Sequence, residues 1–236
     1  SPNIDHHTNN YPNTAWNAAV ARPVSKDEIK KTPRAQTAVD KEWNNLWDKK
    51  VWKYDGLSDV KEWDDVAAQA RVEGRQIHLG RIFGICVEKN WELPPDDSRR
   101  KFKYRCVFQG NRVVDQNWKA AMFQDLGNSP TTMDGARIVD FHGCLPEHVI
   151  QQADAEQAYV QAWLKGTETW VALPIEAWPK EWHGMKRPVV RLQKALYGHP
   201  DAGTFWEDHC DARCKQAGFE PVENWTPPCL VRAEVI

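Results

Sequence analysis

Gln151-Gln152-Ala153-Asp154-Ala155-Glu156-Gln157-Ala158-Tyr159-Val160 combines an apolar-polar run, a carboxylate and a helix-forming segment within ten residues. It predicts a short strand over 149–154 that ends in a carboxylate, then a turn into helix over 156–164. Asp is disfavoured in strands, and a charge at the end of a sheet calls for a hydrogen-bond partner or a metal. Asp154 is therefore either the cap of the helix that follows or a ligand, and the residues alone leave both open.

Downstream, 169–173 and 189–192 read as strands, separated by a Trp- and Pro-rich loop over 174–188. A helix is predicted over 201–217, closed by Gly218. Upstream, 131–145 reads as helix, and 77–88 and 101–109 as strands joined by a hairpin loop containing Pro94-Pro95-Asp96-Asp97. Within 101–109 the alternation puts Phe102, Tyr104, Cys106 and Phe108 on one face and Lys101, Lys103 and Arg105 on the other. The three cations make either a solvated face or a grip for phosphates.

Earlier still, Ser25-Lys26-Asp27-Glu28 is a capping-box pattern opening a short helix that ends near Thr32-Pro33. Val39, Trp43, Leu46 and Trp47 mark one face of a helix over 35–49. Val60, Trp63, Val66, Ala67 and Ala70 mark another over 59–72, stopped by Gly74. Residues 1–24 show no period and read as an extended arm. There are no internal repeats. The order is helices, hairpin, helix, then strand-helix-strand, which predicts an α+β fold. Three regions are expected: the arm at 1–24, helices and hairpin over 25–148, and a second region over 149–236.

The 236 residues suffice to bury a core without staples. Mean hydropathy is −0.70 and no apolar run approaches 18 residues, so no transmembrane segment is expected. A net charge of −2 excludes a general polycation, so any nucleic-acid surface must come from local segregation of charge. Six thinly spread Cys predict reduced thiols and an intracellular chain of unspecified compartment. Cys210 and Cys214, at i and i+4, are read as structural thiols or as half of a metal site. Thirteen Trp against five Tyr and seven Phe are spread from Trp16 to Trp225, a scatter that favours core and interface use over one stacking platform. Walker, dinucleotide, HExxH and nucleophile-elbow motifs do not occur.

Asp154-x-x-x-Ala158-Tyr159 resembles the first carboxylate motif of reverse transcriptases, in surroundings similar to the copia-type (Pseudoviridae) retrotransposon polymerase. Tyr104-Arg105-Cys106-Val107-Phe108-Gln109-Gly110 resembles the family's fingers strand, and Thr169-Trp170-Val171-Ala172-Leu173-Pro174 the strand after the carboxylate helix. Leu192-Gln193-Lys194-Ala195-Leu196-Tyr197-Gly198, followed by Trp206, and then Cys229-Leu230, match further blocks in the same order. The similarity runs over about residues 35 to 232.

The resemblance implies reverse-transcriptase-like fingers and an incomplete palm behind an N-terminal helical segment. It implies that Asp154 and the carbonyl of Ala155 are ligands of catalytic magnesium, the ions of a two-metal phosphoryl transfer. Tyr159 would be the steric gate against a 2'-hydroxyl. Arg105, with Lys103, would grip the triphosphate of an incoming deoxynucleotide on an RNA or DNA template-primer. The 196–202 loop would support the base, although Asp201 stands where the family has Gln, and His199-Pro200 where it has Leu-Lys. The second carboxylate motif, Tyr-x-Asp-Asp, does not occur in the 236 residues, so the expected RNA-directed DNA polymerase is catalytically incomplete. Two alternatives remain open: a retroelement-derived structural subunit whose partners are other protein chains, and a nucleic-acid binder without catalysis.

Overall fold

The computed structural model describes residues 21–123, 132–148, 154–221 and 230–232. The expected arm therefore lies almost wholly outside the described residues, as do residues 149–153 of the expected strand and Cys229. The architecture is α+β. Its residues form two compact units, one of the chain up to Val39 together with Ile85–Tyr104, the other of Asp40–Gly84 together with the chain from Arg105.

In the smaller unit, strand β1 (Ala21–Pro23) leads into helix α1 (Lys26–Lys31). The Ser25 hydroxyl accepts from the Glu28 N–H at 3.2 Å, so the capping pattern forms as its residues predict. Asp27 and Glu28 occupy the first turn of α1 and Lys30 and Lys31 its last, the arrangement the helix dipole favours. Helix α2 (Pro33–Asp48) follows, and strand β3 (Ile77–Lys89) ends beside β1, with Ala21 opposite Lys89 and Pro23 opposite Val87. Strand β4 (Lys101–Phe108) pairs with β3. The loop between β3 and β4 closes on Asn90, at φ 57°, whose amide donates to the Arg99 carbonyl at 2.7 Å.

Glu88 is buried in β3, which the strand reading of 77–88 does not announce. Arg22 reaches it at 3.0 Å and Arg100 at 2.9 Å, and both guanidinium groups cover the Trp91 ring, at 4.1 and 4.5 Å from its centroid. A buried carboxylate is tolerable only with such full pairing. Arg22 also bridges to Glu28 of α1, tying the helix to the strand.

In the larger unit, β3 runs parallel to β6 (Glu168–Ala172) and antiparallel to β5 (Val114–Asp115). Strand β6 is antiparallel to β7 (Pro188–Arg191), which pairs with the two-residue β2 (Lys61–Glu62). Helix α3 (Trp63–Val72) buries Trp63, Val66, Ala67 and Ala70 against Ile77, Leu79 and Val189. The periodicity predicts one helix over 59–72. Instead, the Glu62 carboxylate accepts the N–H groups of Lys186 and Arg187 at 2.8 and 2.7 Å, which holds 61–62 as strand and delays the helix to Trp63.

A second core gathers the Trp residues. Trp52 meets Trp43 at 6.1 Å and Trp47 edge-on at 4.8 Å, and Trp182 lies 6.2 Å from Trp47. Trp52 and Trp182 are fully buried, as expected of rings used for packing.

Helix α4 (Met133–Gly143) is capped by the Thr132 hydroxyl, which accepts from the Gly135 N–H at 3.1 Å. Helix α5 (Ala202–Gln216) ends before Gly218, at φ 88°. Strands β8 (Phe219–Pro221) and β9 (Leu230–Arg232) form a separate antiparallel pair. Among the described residues no helix is long and apolar enough to cross a membrane.

The helix expected over 156–164 is corrected to a single 3-10 turn, Ala158–Gln161, entered through Gln157 at φ 50°. The chain beyond it is drawn into sheet-like pairing. Leu164 N–H donates to the Gln193 carbonyl at 2.8 Å and Ala195 N–H to the Ala162 carbonyl at 2.9 Å, so tertiary bonds replace helical ones.

Candidate functional site

The end of β4 is the foundation. Tyr104, Cys106 and Phe108 are buried and Phe102 half-buried, whereas Lys101, Lys103 and Arg105 are exposed, as the alternation predicts, and Val107 is buried out of step with it. Beyond β4 the backbone is stitched to the segment around Tyr197: the Phe108 N–H donates to the Tyr197 carbonyl at 2.8 Å. A Cβ at Gly198 would strike the Phe108 carbonyl and the Val107 side chain, and φ there is +90°. A Cβ at Gly110 would strike the Gly198 carbonyl. Only glycines permit this approach.

That contact sets Tyr197 beside Arg105, whose guanidinium lies 5.8 Å from the ring centroid. Tyr159 follows at 6.0 Å from Tyr197, tilted by 43°. Tyr159 itself is half-buried and rests with Phe205 on Ala162, Ala195 and Ala202. Arg105, Tyr197 and Tyr159 therefore form one row, drawn from β4, from the Tyr-Gly segment and from the 3-10 turn. An exposed guanidinium next to two phenol rings suits an anionic group attached to a sugar or a base.

Asp154 and Ala155 are exposed in irregular backbone just before that turn, and no described residue bonds to the Asp154 carboxylate. Among the described residues no three His, Cys, Asp or Glu side chains converge as a metal-holding group. A magnesium pair needs several oxygen ligands, and one exposed carboxylate does not supply them. The described residues thus do not fit the implied ions. Lys103 is exposed on β4 in the smaller unit.

Asp201 stands at the N-terminus of α5 without making a side-chain cap. Its Oδ1 is buried with no hydrogen-bond partner among the described residues, and burial pushes its carboxyl above the ordinary range. Its N–H donates to His199 Nδ1 at 3.2 Å, which leaves the His199 proton on Nε2. His199 is enclosed by Phe108 at 4.9 Å and Phe123 at 5.4 Å, and His78 lies 5.1 Å from Phe123. Burial drives His199 down to about 4, and neighbouring His78 adds to the effect. His78 is likewise lowered by burial, opposed by Asp115. Neither Nε2 has a partner among the described residues.

No protein-family model, curated protein or solved structure matches the chain.

Nothing local in the sequence marks Tyr197 as the link between Arg105 and Tyr159, although Tyr197 lies inside the 192–198 block. Nor does any local signal mark His78 and His199 as packing on the same Phe123 ring. Cys210 and Cys214 are half-buried free thiols, with Cys210 pushed up by burial and by Cys214.

Proposed function

We propose that the chain is a relative of copia-type reverse transcriptases, contributing fingers and part of a palm. In this reading Arg105 faces the triphosphate of a deoxynucleotide on a template-primer, and Tyr159 lies under its sugar. The observation that supports it is the convergence of three separate blocks, 104–110, 158–162 and 192–198, on the row Arg105, Tyr197, Tyr159. In this reading the chain, which carries no Tyr-x-Asp-Asp motif, does not extend a primer by itself. Fluorescence anisotropy of a labelled RNA–DNA primer-template, with and without dATP, tests the reading. The complex is expected to tighten with dATP in the wild type and not in Arg105→Ala, with no primer extension in magnesium buffer. Indifference to dATP or to Arg105→Ala overturns the nucleotide site, and primer extension overturns the catalytic incompleteness.

One observation favours a structural subunit as the second reading. Helix α4 buries only Gly135 and exposes Met133, Ile138, Val139 and Phe141. Exposed apolar side chains in that density suit a protein partner. Loss of partner capture by Phe141→Glu, in a chain that ignores primer-template, would support it.

A further inference from the structure

A second concavity in the larger unit uses none of the residues of the row Arg105, Tyr197, Tyr159. It is a cleft of about 610 Å³ whose aromatic walls are Trp63, Trp118 and Trp178, with Arg81, Lys186 and Arg187 among its lining side chains. That volume suits a small molecule.

The loop carrying Trp118 is built to present it. Asp115 Oδ1 accepts from the N–H groups of Asn117 and Lys119 at 2.7 and 2.9 Å. The Asp115 N–H donates to the Lys119 carbonyl at 2.8 Å, and Arg71 donates to the Gln116 carbonyl at 2.5 Å. This network holds Trp118 at φ 62°, a conformation that bulky residues rarely adopt. Even so the ring stays 52% exposed, edge-on to buried Trp63 at 6.3 Å. Strain and exposure of one large ring, at the wall of a cleft, are poorly explained by packing.

Charge completes the site. Arg187 lies 5.5 Å from the Trp118 centroid and is neutralised by Asp64 at 3.2 Å. Arg81 and Lys186 have no ion pair or hydrogen bond to their side chains among the described residues. Trp178 is fixed by its indole N–H, which donates to the Leu173 carbonyl at 2.9 Å. The cleft thus offers flat apolar walls and two cationic side chains without a side-chain partner among the described residues, with Glu62 held at the Lys186 backbone N–H.

We infer that this cleft binds a flat aromatic ring carrying one anionic group, with the ring against Trp118 and Trp178 and the anion on Arg81 and Lys186. A phosphate and a carboxylate satisfy the same chemistry. Isothermal titration of the intact chain with AMP, indole-3-acetate and adenosine separates these sources and tests the charge requirement. Saturable binding of AMP, of indole-3-acetate or of both is expected, with adenosine about tenfold weaker than AMP wherever AMP binds. Trp118→Gly removes the ring at a φ that glycine accepts freely, and Lys186→Glu reverses an exposed charge. Each should weaken binding about tenfold, while Arg105→Ala leaves it unchanged, so this site and the polymerase reading fail separately. Absence of saturable binding by both anions, adenosine binding as tightly as AMP, or indifference to both cleft variants overturns the inference.

Discussion

His199 should make the fold acid-sensitive in a range where most carboxylates are still ionised. The side chain is held near a pKa of about 4 in the folded chain, against an ordinary 6.5 when exposed. A lowered folded pKa means that its contribution to stability is present above 6.5 and is lost as pH falls toward 4. At pH 5 the unfolded chain has taken up a proton that the folded chain refuses. Linkage then costs about 2 kcal/mol, compared with about 0.2 kcal/mol at pH 7. His78, also lowered, acts in the same direction, whereas Asp201, raised by burial, opposes it at lower pH. Urea unfolding of wild type and His199→Phe at pH 7 and pH 5 isolates the effect, because the lost acceptor for the Asp201 N–H costs the variant equally at both pH values. The wild type should lose about 2 kcal/mol more than the variant between the two. Equal losses would refute the placement of His199 as a buried neutral imidazole.

Gly198→Ala should destabilise by about 2 kcal/mol or more in urea titration, since its Cβ meets the Phe108 carbonyl at a left-handed φ. Trp52→Ala should cost about 3–5 kcal/mol, measured the same way, because it empties the centre of the Trp cluster. Arg100→Ala leaves buried Glu88 to Arg22 alone and should cost about 3 kcal/mol, with raised hydrogen exchange in β1 as the local readout. Thiol alkylation read by mass spectrometry should modify exposed Cys144 well before buried Cys86 and Cys106, whose thiols burial pushes up.

Local rules carry much of the fold. Ser25 caps α1 and the alternation over 101–106 sorts the more buried from the exposed side chains, both through contacts within a few residues or through strand period alone, although Val107 is buried out of step. Gly218 stops α5 for the same kind of reason. What local rules miss is decided at long range. Glu62 is strand because it receives N–H groups from 186 and 187, and the stretch after Tyr159 leaves the helix for bonds to 193 and 195. Buried Glu88 is invisible in the sequence because its partners, Arg22 and Arg100, come from two other segments. The candidate site divides in the same way. Arg105 is placed by strand period and Tyr159 by resemblance, but Tyr197 joins them only because Gly110 and Gly198 let two backbones touch.

Photolabelling by 8-azido-dATP in the presence of primer-template, with the modified peptides mapped by mass spectrometry, probes whether a nucleotide lies on the row Arg105, Tyr197, Tyr159. Label is expected on peptides containing Tyr159 or Tyr197, suppressed in Arg105→Ala. Label confined to other peptides, or undiminished in that variant, would contradict that placement.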